Sequence, residues 1–212
     1  MKQLLQKISL VLFVLFVFGS CTTFKSQVLS VSPDLNSIKS MGIASVNFND
    51  RSLPILPLLD AGLHNAAVDS VAEELFLAEK EYEPVITEIV KTEFETYSGL
   101  TPLVIDANPS SQSYGDLDLA WAASLAKDNG VDAVVVPMIR VETRDVSGFG
   151  INGFSLVAMT LNIVHADGTL IGEGLFFSEL ETASPSNVPA YKALIENAST
   201  LAPELIGMFY QD

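Results

Sequence analysis

The spacing of apolar residues changes several times along this chain, and each change predicts an element. Within residues 82–97, Tyr82, Val85, Ile86, Ile89, Val90, Phe94 and Tyr97 recur at the period of a helix with one buried face, and Gly99 follows where a C-terminal cap belongs. Residues 154–165 (FSLVAMTLNIVH) follow a different rule: Ser155, Val157, Met159, Leu161 and Ile163 occupy one face and Thr160 and Asn162 the other, the period-two alternation of a strand. Residues 131–143 (VDAVVVPMIRVET) read as its partner across a glycine-rich connection. The pair Asp167-Gly168 marks a tight turn into a returning strand over 170–180.

Shorter runs predict strands at 38–47 (IKSMGIASVN) and 101–106 (TPLVID), and a helix over 116–129 closed by Gly130. In this helix Asp116 and Asp118 read as the N-cap and a first-turn acid rather than as a catalytic pair. A last helix buries Tyr191, Leu194, Ile195, Ala198, Leu201, Ala202, Leu205 and Phe209, with Pro203 predicted to kink or divide it. The order β-α-β-α-β-β-β-α predicts one α/β domain over residues 38–212, a mixed sheet flanked by helices. Residues 51–80 read as an insert, opening with a proline-interrupted apolar stretch and continuing as an acidic segment compatible with a helix. Within it Pro54, Ile55 and Leu56 either pack on the sheet or meet a partner.

The N-terminus breaks this pattern. Lys2 and Lys7 precede eleven almost wholly apolar residues, 8–18 (ISLVLFVLFVF), then Gly19 and Ser20. That is the layout of a secretory signal, and the run covers roughly half of a ~30 Å hydrocarbon core, too little for an ordinary spanning helix. Residues 1–20 are therefore expected to be removed. The residue that follows is Cys21, the only cysteine among 212 residues. A lone thiol is awkward in an oxidising compartment unless it is modified.

Residues 17–21 (VFGSC) resemble the lipobox of bacterial lipoproteins, departing from it at Phe18. The resemblance implies that the Cys21 thiol carries a diacylglycerol and its amino group a further acyl chain, a palmitate-type anchor. At about 0.8 kcal/mol per buried CH₂, several such chains hold a protein to a membrane permanently. Thr22 and Thr23 stand where an inner-membrane retention signal would carry aspartate, which by the same resemblance implies the outer membrane, facing the periplasm. Residues 21–37 then read as a polar tether.

Composition narrows the partners. Loss of residues 1–20 takes two lysines, leaving 9 basic against 26 acidic residues, a net charge of −17. Such a surface repels nucleic acid and anionic headgroups, so the anchor supplies the membrane attachment. No cysteine after Cys21 means no disulfide and no thiolate metal site.

Candidate chemistry is sparse. Gly148, Gly150 and Gly153 match G-x-G-x-x-G, but a dinucleotide site needs those glycines to open a helix, and a strand pattern follows them. The stretch reads instead as a hairpin tip that displays Phe149 and Ile151 to a partner or lipid. His64 and His165 stand apart, without a ligand cluster at metal spacing, and no G-x-S-x-G elbow exposes a serine. The sequence predicts no catalytic residue, metal or cofactor.

Three stretches, residues 41–50 (MGIASVNFND), 126–142 (AKDNGVDAVVVPMIRVE) and 160–174 (TLNIVHADGTLIGEG), together resemble the TolB-N-terminal/CsgG-like α/β fold of curli-secretion channel lipoproteins and penicillin-binding-protein activator lipoproteins. The likeness spans most of residues 38–210, except that the 51–80 insert replaces a short link. It implies a non-catalytic envelope accessory protein that binds another envelope protein or further copies of itself. A secretion-channel subunit and a small-ligand-binding lipoprotein are the alternatives.

Overall fold

Strand pairing organises the computed structural model, which describes residues 25–50, 61–107, 117–145, 153–182 and 188–211. Seven strands form one mixed sheet: β1 (Lys25–Val31), β2 (Met41–Ala44), β3 (Asn47–Asp50), β4 (Leu103–Ile105), β5 (Ala133–Asp145), β6 (Gly153–His165) and β7 (Leu170–Thr182). The path across it is β1-β7-β6-β5-β2-β4, with β3 also paired to β5. Contacts among β5, β6, β7 and β1 are antiparallel, whereas β2, β3 and β4 run parallel to β5 or to each other. Three helices complete the single α/β domain: α1 (Ala61–Ser98), α2 (Leu119–Asp128) and α3 (Val188–Phe209).

Each face of the sheet has its own core. On one, Ile86, Val90 and Phe94 of α1 and Ala198, Ala202, Leu205 and Phe209 of α3 bury against Ile43, Val135, Ile139, Met159, Leu161, Ile163 and Phe176. On the other, Ala122 and Ala126 of α2 pack on Ala44, Ile105, Val134, Val136, Met138 and Val164. The alternation expected in β6 is therefore real: Met159, Leu161 and Ile163 all face α1 and α3. On the α2 side Thr160 Oγ donates to the Met138 carbonyl at 3.3 Å and Asn162 Nδ2 to that of Val136 at 3.5 Å. Asn162 is only 4% exposed, so its amide bonds a neighbouring strand rather than water.

Several sequence expectations need correction. Residues 25–31 belong to an edge strand rather than a tether, and Leu35 in the 3-10 turn Pro33–Ser37 that follows is buried. The KSQVLSV alternation is faint because β1 is held mainly by backbone pairing to β7, with little apolar burial to pattern its side chains. The strand predicted over 38–47 is two strands, interrupted where Ser45 N–H turns to the Ile105 carbonyl. The second half of the 51–80 insert is the start of α1, which runs on through Pro84. Pro203 likewise lies inside an unbroken α3, where Ala202, Leu205 and Ile206 are fully buried on either side of it. Packing on both flanks outweighs the lost hydrogen bond. Val85 and Tyr97, expected on the buried face of α1, are each 44% exposed.

Helix ends follow local chemistry. Asp118, not Asp116, caps α2: its Oδ1 accepts from Ala120 N–H at 2.9 Å and Trp121 N–H at 3.1 Å. At the other end Gly130 sits at φ +65°, the left-handed conformation that closes a helix without a Cβ clash.

Candidate functional site

Cys21, Pro54, Ile55, Leu56, Phe149 and Ile151 all lie outside the described residues. The strands that border their segments are described, and register relates the ends of those strands. Lys25, the first residue of β1, stands opposite Phe177; Phe177 stands opposite Ala158, and Ala158 opposite Arg140. One rung further along β5, Asp50 at the end of β3 pairs with Val141. The β5–β6 hairpin closes at the same end, with Asp145 opposite Gly153 and Gly153 opposite Thr182.

The start of β1, the end of β3 and the last β5–β6 pair thus point to one end of the sheet, the hairpin end. Sequence spacing could not show this, because only strand pairing sets Lys25 on the rung of Arg140 and Asp50 on the next, five and four residues short of Asp145. Gly153, the last glycine of the G-x-G-x-x-G match, opens strand β6. A strand there presents no helix N-terminus to a pyrophosphate, so the dinucleotide reading fails on geometry.

The opposite end is a polar lock that sequence reading missed. The Asp132 carboxylate accepts Lys39 N–H at 2.9 Å and Ser40 N–H at 3.1 Å, and Ser40 Oγ accepts Asp132 N–H at 3.0 Å. The Lys39 amide does most to hold the Asp132 pKa below its ordinary value, with Ser40 and His165 adding to it. Nearby, Asp167 Oδ1 accepts Thr169 N–H at 2.8 Å and lies 3.0 Å from His165 Nδ1. These bonds, the Thr169 amide first, bring the Asp167 pKa down to about 2. The Asp132 bonds span 92 and 93 residues, so no local motif announces them. Asp132 Oδ2 and Asp167 Oδ1 are both used by the turn chemistry, and this end reads as structural closure. Among the described residues no group of three or more His, Cys, Asp or Glu side chains is placed to hold a metal ion.

The lateral edges also bear apolar side chains. A single rung crosses the sheet from Val31 through Gly172, Ile163, Val135 and Ile43 to Val104. Both terminal valines are exposed, as are Leu29 and Leu103 beside them. A bulge between Val28 and Ser30 and the three-residue length of β4 blunt these edges against indiscriminate strand addition. No described helix is long and apolar enough to cross a membrane.

Neither known family profiles nor curated protein sequences match the chain. Among solved structures, it is similar to the PelC dodecamer from Paraburkholderia phytofirmans at 11% identity, with 90% of this chain and 99% of that one covered and a TM-score of 0.44. Lipoprotein GNA1162 from Neisseria meningitidis shares 13% identity over 74% of this chain and 94% of its own, with a TM-score of 0.29. The LpoB C-terminal domain from Salmonella enterica shares 15% over 69% and 84%, with a TM-score of 0.25. Likenesses of this size assign the chain to none of these families.

Proposed function

We propose that this chain is a lipid-anchored protein of a bacterial envelope whose α/β domain acts by contact, binding another envelope protein or further copies of itself, without catalysis. The observation that carries this reading is the junction of anchor and fold: Cys21 stands four positions before Lys25, where strand β1 begins. Acylation at Cys21 would therefore hold the folded sheet itself at the membrane, not a domain on a long leash. The apolar side chains on the two lateral edges, Leu29 and Val31 on one and Leu103 and Val104 on the other, are surfaces on which contact can be made. An outer-membrane, periplasm-facing location is part of the same proposal.

The secretion-channel alternative fits the strand lengths less well. A barrel strand needs ~9–11 residues across the bilayer. Residues 133–136, 138 and 139 of β5 are buried in the two cores, which leaves six, Arg140 to Asp145, to reach the end of the strand.

Two measurements test the proposal. Mass spectrometry of the mature N-terminus is expected to find Cys21 acylated, with Cys21→Ser releasing the protein from the membrane fraction. Cross-linking in intact envelopes is expected to trap the chain with a second protein or copy; recovery of the monomer alone would count against the contact role.

A further inference from the structure

Nδ1 of His165, the last residue of β6, stands before two groups of Asp167 that make opposite demands on it. The Asp167 N–H donates to this nitrogen at 3.3 Å, which requires a lone pair there. Asp167 Oδ1 lies 3.0 Å from the same nitrogen, a contact that becomes a hydrogen bond only when Nδ1 carries a proton. An imidazole nitrogen presents one or the other in its ring plane, so it serves the amide or the carboxylate but not the two together. The side chains of His165 and Asp167 are 39% and 62% exposed, so protons reach the site from solvent without any opening of the fold.

From this geometry we propose that His165 is a proton-operated latch in the β6–β7 turn: with Nδ1 bare it holds the Asp167 amide, and with Nδ1 protonated it releases that amide and binds the Asp167 carboxylate. Histidine side chains ordinarily change charge between about pH 5 and 8, and pH thereby selects the partner. The carboxylate is ready throughout this range, because its bonds, the Thr169 amide first, keep its pKa at about 2. The charged neighbour from the lead into β5 is Asp132, which His165 also influences. Helix α2 approaches the turn where Ala123 lies 4.0 Å from a Cβ built on Gly168, and the charged residues one turn further along that helix, Lys127 and Asp128, are of opposite sign. The turn itself persists in both states, held by His165 N–H on the Thr169 carbonyl at 2.8 Å and Gly168 N–H on the His165 carbonyl at 2.9 Å. What changes is one amide and one charge. In acid an imidazolium stands beside Asp132 and Asp167 alike, so the bonds of Asp132 to the Lys39 and Ser40 amides gain a positive neighbour. The inference goes beyond the anchored reading and uses only residues of the folded domain.

The test uses the full-length chain in detergent micelles, isotopically labelled on nitrogen, and follows the imidazole nitrogens and the Asp167 amide by NMR at about pH 5 and about pH 8. The chain has two histidines, and His64→Gln assigns them. At the higher pH, Nδ1 of His165 is expected to resonate as a bare nitrogen and the Asp167 amide to be protected from exchange. At the lower pH, Nδ1 should carry a proton and the protection factor of that amide should fall several-fold. The protection factor sets the observed exchange against the intrinsic rate at the same pH, so base catalysis does not enter the comparison. In His165→Gln, whose side chain does not titrate, protection of the Asp167 amide is expected to be the same at both pH values. A proton already on Nδ1 at the higher pH, or an amide equally protected at both in the parent, would overturn the latch. So would a pH dependence that survives in His165→Gln.

Discussion

The ring of Phe94 in α1 stacks on that of Phe209 in α3, with centroids 6.5 Å apart and planes inclined by 21°. Tyr210 meets Phe94 edge-on at the same centroid distance. This aromatic contact joins two helices on one face of the sheet, and both phenylalanines are buried. Phe94→Ala removes the stack and leaves a cavity between α1, α3 and the sheet. The expected loss is about 3–5 kcal/mol in denaturant unfolding, with the midpoint shifting and little change in slope.

Gly174 makes a different prediction, about space rather than volume lost. A Cβ at this position of β7 would lie 2.8 Å from Leu205 Cδ1 and 2.9 Å from Phe209 Cζ. Helix α3 sits against bare backbone there, so Gly174→Ala must push Leu205 and Phe209 off the sheet. A cost of about 1–3 kcal/mol is expected from overpacking, and the companion Leu205→Ala should relieve part of it. A double-mutant cycle by thermal or chemical unfolding reads the coupling.

Asp132 predicts the pH dependence of stability. Its pKa in the folded protein lies below the ordinary 3.8, with the Lys39 amide as the main cause. A group depressed in this way contributes stability that is present above the unfolded value and is lost as pH falls through the folded one. Asp132→Asn should therefore destabilise the protein at neutral pH, and its unfolding midpoint should change less than that of the parent as pH falls below about 4. Equal pH slopes for the two proteins would show that Asp132 is not the group responsible.

Asp118→Ala tests the α2 cap. Losing the bonds to Ala120 and Trp121 N–H is expected to cost about 1 kcal/mol. Asp118→Asn should keep most of that stability, because the amide oxygen still accepts. Faster amide exchange confined to the first turn of α2 would locate the effect.

Some of this architecture was legible from residue order and some was not. Where a segment buries one continuous face, its side chains record the element: Met159, Leu161 and Ile163 announce β6, and Ile86, Val90 and Phe94 announce the second half of α1. Gly99 and Gly130 mark helix ends because a left-handed residue needs no partner elsewhere. Edge strand β1 left almost no such record. Its stability comes from backbone bonds to β7, and Lys25, Gln27, Leu29, Ser30 and Val31 stay exposed. Tertiary packing also overruled the local signals of Pro84 and Pro203, which lie inside continuous helices.

By itself the sequence determined the chemistry carried by each segment: a lone acylatable thiol at Cys21, apolar Phe149 and Ile151 between glycines, and an acidic surface. These are properties of residues and near neighbours. Only the tertiary structure decided that the start of β1 at Lys25, the end of β3 at Asp50 and the β5–β6 pair of Asp145 and Gly153 point to one end of the sheet, while Ser40 and Asp132 close the other. The physical reason is that strand register is set by hydrogen bonds between distant segments, and a displacement of one residue would turn each buried face outward.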